Sequence, residues 1–387
     1  MNPIFANAAT SIFEEMSALA RRHSAINLGQ GFPDDPGPED VRRKAAEAVV
    51  DGWNQYPPMM GLPELRSAVA RHYATHQGLA VDADSEVMIT SGATEAIAGA
   101  LLACVSPGDE VVLFEPAYDA YLPLVRRAGG IPKFVKLAPP DWRFDAAALR
   151  AAIGPRTRAV LFNNPLNPAG CLYGDADLRV LAAALDGTDA VVISDEVWEH
   201  VVFDGRRHVS VLAVPGLRER SIKIGSAGKI FNLTGWKVGF VVAAPHLLRV
   251  LAKAHQYITF TTPPNLQAAV AYGLDKPAAH FDAMRKDLQD RRDHLQRGLA
   301  ASGFAVLPSA GTYFLNVDLG PLGLADDAAF CRRMVAEAGV AAIPVSAFYA
   351  DASEKSVVRF CFAKKYETLD AAIERIARSA ATLSKAS

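Results

Sequence analysis

Between Val87 and Ala243 the chain repeats one pattern: a short apolar run, a turn of small or polar residues, then a stretch with helical spacing. Residues 87–90, 110–115, 132–137, 158–162 and 190–194 read as strands, and 95–105 and 145–153 read as helices between them. Strands that alternate with helices specify a mostly parallel sheet covered on both faces. Such a sheet needs a large core. A chain of 387 residues, 50% of them hydrophobic, can supply one and is long enough for two domains. Beyond Gly239 the pattern changes to long helices at 247–257, 265–273 and 281–301, then strands at 311–317 and 356–363, so a second unit is expected there. Helices at 12–22, at 41–49 and from Pro63 onward precede the repeat; Leu65, Val69 and Tyr73 share one face of the last.

Several function classes are disfavoured. The formal charge is −2 and no basic run occurs, which argues against nucleic acid as a partner. Apolar runs such as 98–105 are too short to span a bilayer, and the first residues, with Asn2, Glu14 and Glu15, lack the form of a signal peptide, so a cytoplasmic protein is expected. Cys104, Cys171, Cys331 and Cys361 are widely separated, with no histidine at metal-ligand spacing; reduced thiols and no metal are expected. No Gly-x-Gly-x-x-Gly joins a strand to a helix, which disfavours a nicotinamide-binding dehydrogenase.

The chemistry concentrates in the stretch from Ser221 to Gly239. Lys229 is expected in a tight loop between a strand at 221–224 and another at 236–243. Its neighbours Gly228, Ile230, Phe231 and Leu233 leave it little water, and desolvation favours the neutral amine, the form that attacks carbonyls. Ser226 lies three residues earlier and Lys237 eight later, and both could serve an anion. This Ser-x-x-Lys spacing with the following Gly-x-Lys-x-Gly resembles the lysine signature of class I pyridoxal-phosphate aminotransferases, of the aspartate aminotransferase fold type I. The resemblance implies that Lys229 bonds the cofactor and shuttles a proton, while Ser226 and Lys237 hold the phosphate.

Other motifs follow in the same family order. A strand, the turn Ser91-Gly92-Ala93-Thr94 and a helix N-terminus make a general anion site, which the family uses for the phosphate, here with Gly92, Ala93 and Thr94. Tyr118, at a strand end, can stack on a pyridine ring; Tyr121, one helical turn on, reads as packing. Asn167 in Asn164-Pro-Leu-Asn-Pro matches the residue that donates to the cofactor's ring oxygen. Asp195, 34 residues before Lys229, matches the aspartate that pairs with the pyridine nitrogen, and Glu196 reads as support for its loop. Trp198 departs from the family's Asp-x-x-Tyr: an indole has a single N–H donor where a phenol is usual.

On the substrate side, the run Asn27-Leu-Gly-Gln-Gly31-Phe-Pro resembles the N-terminal loop of the kynurenine and glutamine aminotransferases, which brings Gly31 to the amino acid and places Phe13 as an aromatic wall. Arg359 lies on an apolar strand and needs an anion, either a structural ion-pair partner or, as the family implies, the substrate α-carboxylate held bidentately. Tyr56 is implied to reach the neighbouring subunit's phosphate, and Phe260 the partner's substrate pocket.

The whole therefore resembles the kynurenine, glutamine and methionine branch. It implies an α/β fold: a three-layer, mostly parallel large domain at 41–275, and a smaller α+β domain at 276–387 joined by residues 1–40. It also implies a homodimer with shared sites that acts on amino acids and 2-oxo acids. A cysteine-conjugate β-lyase of the same fold is the alternative.

Overall fold

The computed structural model describes residues 1–6 and 10–384. Its centre is a seven-stranded sheet: β1 Val87–Thr90, β2 Glu110–Glu115, β3 Ile131–Lys136, β4 Thr157–Asn163, β5 Val191–Asp195, β6 Ser221–Ser226 and β7 Gly239–Ala243, in the order β1-β7-β6-β5-β4-β2-β3. Only β7 runs against the others. Period two sorts the side chains. Val111, Leu113, Ile193, Ile222, Ile224 and Val241 join one apolar cluster with helices Ala93–Cys104 and Pro245–Ile258. Val112, Phe114, Val192, Phe240 and Val242 join the cluster on the opposite face, with Leu65, Val69 and Tyr73 of helix Pro63–Gln77. The α/β class with a mostly parallel sheet is as the sequence indicates.

A second, four-stranded sheet is antiparallel: β8 Ala305–Val306, β9 Phe314–Asp318, β10 Ile343–Pro344 and β11 Val357–Cys361, in the order β10-β11-β9-β8. Its core contains Leu315, Val358, Phe360 and Leu369, and also Met16, Ala20 and Leu28 from the N-terminal segment. Ile26 and Asn27 pair in parallel with Val340 and Ala341, which fastens the beginning of the chain to its last third.

Two local expectations change. Lys229, expected in a tight loop, stands in a single helical turn, Ala227–Ile230. The strand expected from Trp236 begins only at Gly239, because Thr234–Trp236 form a 3-10 turn and Lys237 adopts φ +55°. No described helix is long and apolar enough to cross a membrane.

Candidate active site

Register brings the strand ends to one edge of the large sheet. Asn163 pairs with Asp195, Asp195 with Ile224, Ser226 with Gly239, and Gly239 with Thr90. Because β7 is reversed, its first residue meets the carboxyl ends of its neighbours, and the connection 227–238 hangs over that edge. A cavity of about 250 Å³ opens there, lined by Gly92, Ala93, Thr94, Tyr118, Asn167, Asp195, Trp198, Ser226, Lys229 and Lys237, with Tyr121, Asn163 and Thr234 beside them. Ten residues singled out from the sequence thus share one cavity.

One end of the cavity suits an anion. Gly92, at φ +81°, precedes the N-terminus of helix Ala93–Cys104, and the Lys237 side chain lies against it: a Cβ on Gly92 would stand 3.4 Å from Nζ. Among the described residues, the hydroxyl of Ser226 and the amine of Lys237 bond no side chain or backbone group, so their donors remain available, while the Thr94 hydroxyl lies beside them in hydrogen-bonding contact with the Tyr118 phenol. Gly239 cannot carry a side chain: a Cβ there would lie 2.7 Å from the Gly92 carbonyl carbon and 3.0 Å from the Ala93 nitrogen.

In the middle stands Asp195. Its Oδ2 accepts from Tyr121 Oη at 2.6 Å and its Oδ1 from the Val197 amide at 3.3 Å. Burial raises the carboxyl's pKa, while those bonds and the Lys229 charge restrain the rise. Tyr121, expected as packing, is therefore bound directly to the acid. Asn163 supports the same group: its Nδ2 donates to the Asp195 carbonyl at 2.8 Å and its Oδ1 accepts from the Asn167 amide at 2.7 Å. Burial, with Asp119 and Asp195 nearby, pushes the Tyr118 phenol up to about 12, so it keeps its proton. The Lys229 amine is lowered to about 8. Burial is the largest cause; Arg359 and Lys237 add to it, and Cys361 and Asp195 oppose it.

Arg359 is 1% exposed, on β11. Its Nη1 donates to Asn167 Oδ1 at 3.1 Å and its Nη2 to the Gly29 carbonyl at 2.8 Å, while Nε has no partner. Phe314 lies under the guanidinium at 3.8 Å; Phe13 and Phe348 stand at 5.2 Å. No carboxylate among the described residues forms an ion pair with it, so the structural-partner reading finds no anion. Burial lowers its pKa to about 10, and it remains charged at neutral pH. Gly31 is needed beside it, since a Cβ there would meet Phe314 at 2.6 Å. Phe314 was missed in the sequence, where it reads as one more apolar strand residue.

Tyr56 and Phe260 do not reach this cavity. They meet edge to face at 5.5 Å on the surface, 80% and 38% exposed, with Trp53 and Tyr257 also uncovered. Behind the cavity, Lys223 is fully buried between Glu196 Oε2 at 2.5 Å and Glu199 Oε2 at 2.7 Å. Glu196 also accepts from His208 and from the Val211 amide, as expected of a loop support. Glu196, Glu199 and His208 place ligand atoms within 4.8 Å of one another, but the Lys223 ammonium serves as their cation.

Comparison with known proteins shows the family. Residues 23–376 match the family described as aminotransferase class I and II. The chain is 44% identical over 367 residues to the methionine aminotransferase of Escherichia coli, covering 95% of each. It is 36% identical over 397 residues to human kynurenine–oxoglutarate transaminase 1, covering 94% of each. The structure of N-succinyldiaminopimelate aminotransferase from Mycobacterium tuberculosis superimposes with a TM-score of 0.93 at 45% identity, over 97% of this chain and 98% of that one.

Proposed function

The chain belongs to the aminotransferase class I and II family, which depends on pyridoxal 5′-phosphate, and on that premise we propose that it moves an amino group from an L-amino acid of methionine, glutamine, aromatic or kynurenine type to a 2-oxo acid. The observation that carries this reading is the buried, anion-free guanidinium of Arg359, joined through Asn167 to the cavity of a lysine whose amine is lowered to about 8.

The residues present fit the cofactor. Thr94, Ser226, Lys237 and the helix N-terminus at Ala93 would hold the phosphate, and Asp195 the pyridine nitrogen. Tyr118 would cover a ring face, Asn167 would donate to the ring oxygen, and Lys229 would bond the cofactor. When bound, pyridoxal phosphate draws electrons from the substrate's α carbon, so that its proton becomes acidic. Lys229 Nζ, neutral and held close, takes that proton and returns one. Arg359 fixes the α-carboxylate bidentately, with Gly31 and Phe13 beside it. Tyr121 fixes Asp195 and limits its protonation.

A panel of amino acids offered singly tests this. Each good donor should release its 2-oxo acid once per site, and the amino group should stay on the enzyme until a second 2-oxo acid removes it. Release of ammonia, pyruvate and a thiol from cysteine conjugates, without transfer, would replace transamination by β-elimination. Arg359→Lys keeps the charge and loses the fork, so KM for amino and oxo acids should rise together by about tenfold or more. Unchanged KM for both would remove Arg359 from the substrate.

We further propose a homodimer in which the exposed Trp53, Tyr56, Tyr257 and Phe260 are covered by a second copy, with Tyr56 and Phe260 completing its site. Tyr56→Ala mixed with Lys229→Ala should then regain about a quarter of the wild-type rate, since half the dimers are mixed and each has one whole site. A mixture no more active than Tyr56→Ala alone would argue against shared sites. The large domain is assigned to 41–275 and the small one to 276–387 with 1–40. Four free thiols suit a cytoplasmic enzyme.

A further inference from the structure

Trp198 holds its indole toward the reacting lysine. The Lys229 amine lies 4.7 Å from the centre of the indole ring and 5.8 Å from that of Tyr313. Neither ring is free to move away. Trp198 is 3% exposed and meets Tyr313 edge to face at 4.5 Å and Phe314 at 5.7 Å. Tyr313 is held by its hydroxyl, which donates to the Lys229 carbonyl at 2.9 Å or to Asn232 Oδ1 at 2.8 Å. The indole N–H has no hydrogen-bond partner among the described residues. What the indole supplies to Lys229 is therefore its π surface, and among aromatic faces indole attracts a cation most strongly.

We propose that Trp198 is a positioning residue that acts through this face: it is a platform for the Lys229 ammonium, holding the amine in place and favouring its protonated form whenever Nζ is free. The charged and titratable groups facing the amine are Asp195 and Cys361, which favour the proton, and Arg359 and Lys237, which disfavour it. Burial disfavours it most. The indole thus offsets part of the desolvation that would otherwise leave Lys229 a weaker proton carrier near neutral pH. The inference rests on Lys229 being the reacting lysine, but its test does not pass through turnover.

Full-length protein stripped of cofactor is treated with an acylating reagent over a range of pH, and Lys229 modification is followed by peptide mass spectrometry. The midpoint of that profile is the amine's pKa. Trp198→Phe keeps a ring without the N–H and should lie close to wild type. Trp198→Leu removes the ring and should shift the midpoint down by about half a unit or more. Coincident profiles for wild type and Trp198→Leu would overturn the proposal, as would an equal shift in Trp198→Phe, which would transfer the effect to the N–H. Should Trp198→Leu not fold, Trp198→Met supplies the ring-free comparison. Failure of Lys229→Ala to affect turnover would instead remove the premise, an outcome separate from any of these.

Discussion

Lys229→Ala is expected to lower steady-state transamination by about 10⁴-fold, the upper end of what a positioned proton carrier contributes, because neither the covalent anchor nor the acid–base amine remains. Added methylamine should restore part of the rate, since a small amine can enter the space and carry the proton. Turnover close to wild type in this variant would end the assignment. The wild-type protein carries a linked pH dependence. With the amine at about 8, its neutral fraction grows as pH rises, so covalent uptake of cofactor by the stripped protein should quicken up to about pH 8 and level off above it. An uptake rate that keeps climbing well above pH 8, toward the ordinary lysine value, would show that the amine is not desolvated.

The largest expected loss of stability comes from Lys223→Met. Lys223, Glu196 and Glu199 are buried together, and Tyr73, Gln77, Ser194 and His208 satisfy the remaining carboxylate oxygens. Removing the cation leaves two carboxylates with no counter-charge, at a cost of about 3–5 kcal/mol, or about 5 °C or more in the thermal midpoint. Adding Glu196→Gln and Glu199→Gln should recover much of it, because neutral amides need no cation. The pH dependence has a definite sign. Burial pushes the Glu196 carboxyl up, but the Lys223 charge and the His208 bond outweigh it and hold the carboxyl well below the usual range. Its contribution is therefore complete above the unfolded carboxylate pKa and is lost only as pH falls through the lower folded value. In Lys223→Met the order reverses, since the orphaned carboxylates bind protons more readily folded than unfolded. The deficit should be greatest at neutral pH and narrow toward about pH 5. A deficit that widens on acidification would mean the carboxylates keep another partner.

The sheet and most of the cavity were legible because both depend on local pattern. Apolar runs of four to six residues place the strands, and the cavity residues fall at strand ends, where glycine, proline and small polar residues interrupt the period. Contacts between distant segments were not legible. Nothing in the run Tyr118-Asp-Ala-Tyr121 says that the second ring, rather than the first, bonds Asp195. Phe314 gives no sign that it carries a guanidinium. Lys223 did leave a sign: a lysine inside an apolar strand requires buried acid, and Glu196 and Glu199, three residues apart after the neighbouring strand, could have been paired with it. The shape of the β6–β7 connection also escaped, because one helical turn and two single residues at positive φ, Asn232 and Lys237, are too short to produce a period.

The bond from Arg359 to the Gly29 carbonyl joins positions 330 residues apart, whereas Ser226, Lys229 and Lys237 lie within one short connection. The two halves of the pocket therefore mature at different times during synthesis. The strands, the turn at Gly92 and the connection bearing Lys229 can assemble while the ribosome is still extending the chain. The guanidinium and the loop it grips meet only after residue 359 has been made, at least 120 residues later than Lys237. A nascent or truncated polypeptide could thus present the Lys229 amine before it could grip a carboxylate, so the guanidinium half of the pocket marks a chain that has been translated past residue 359.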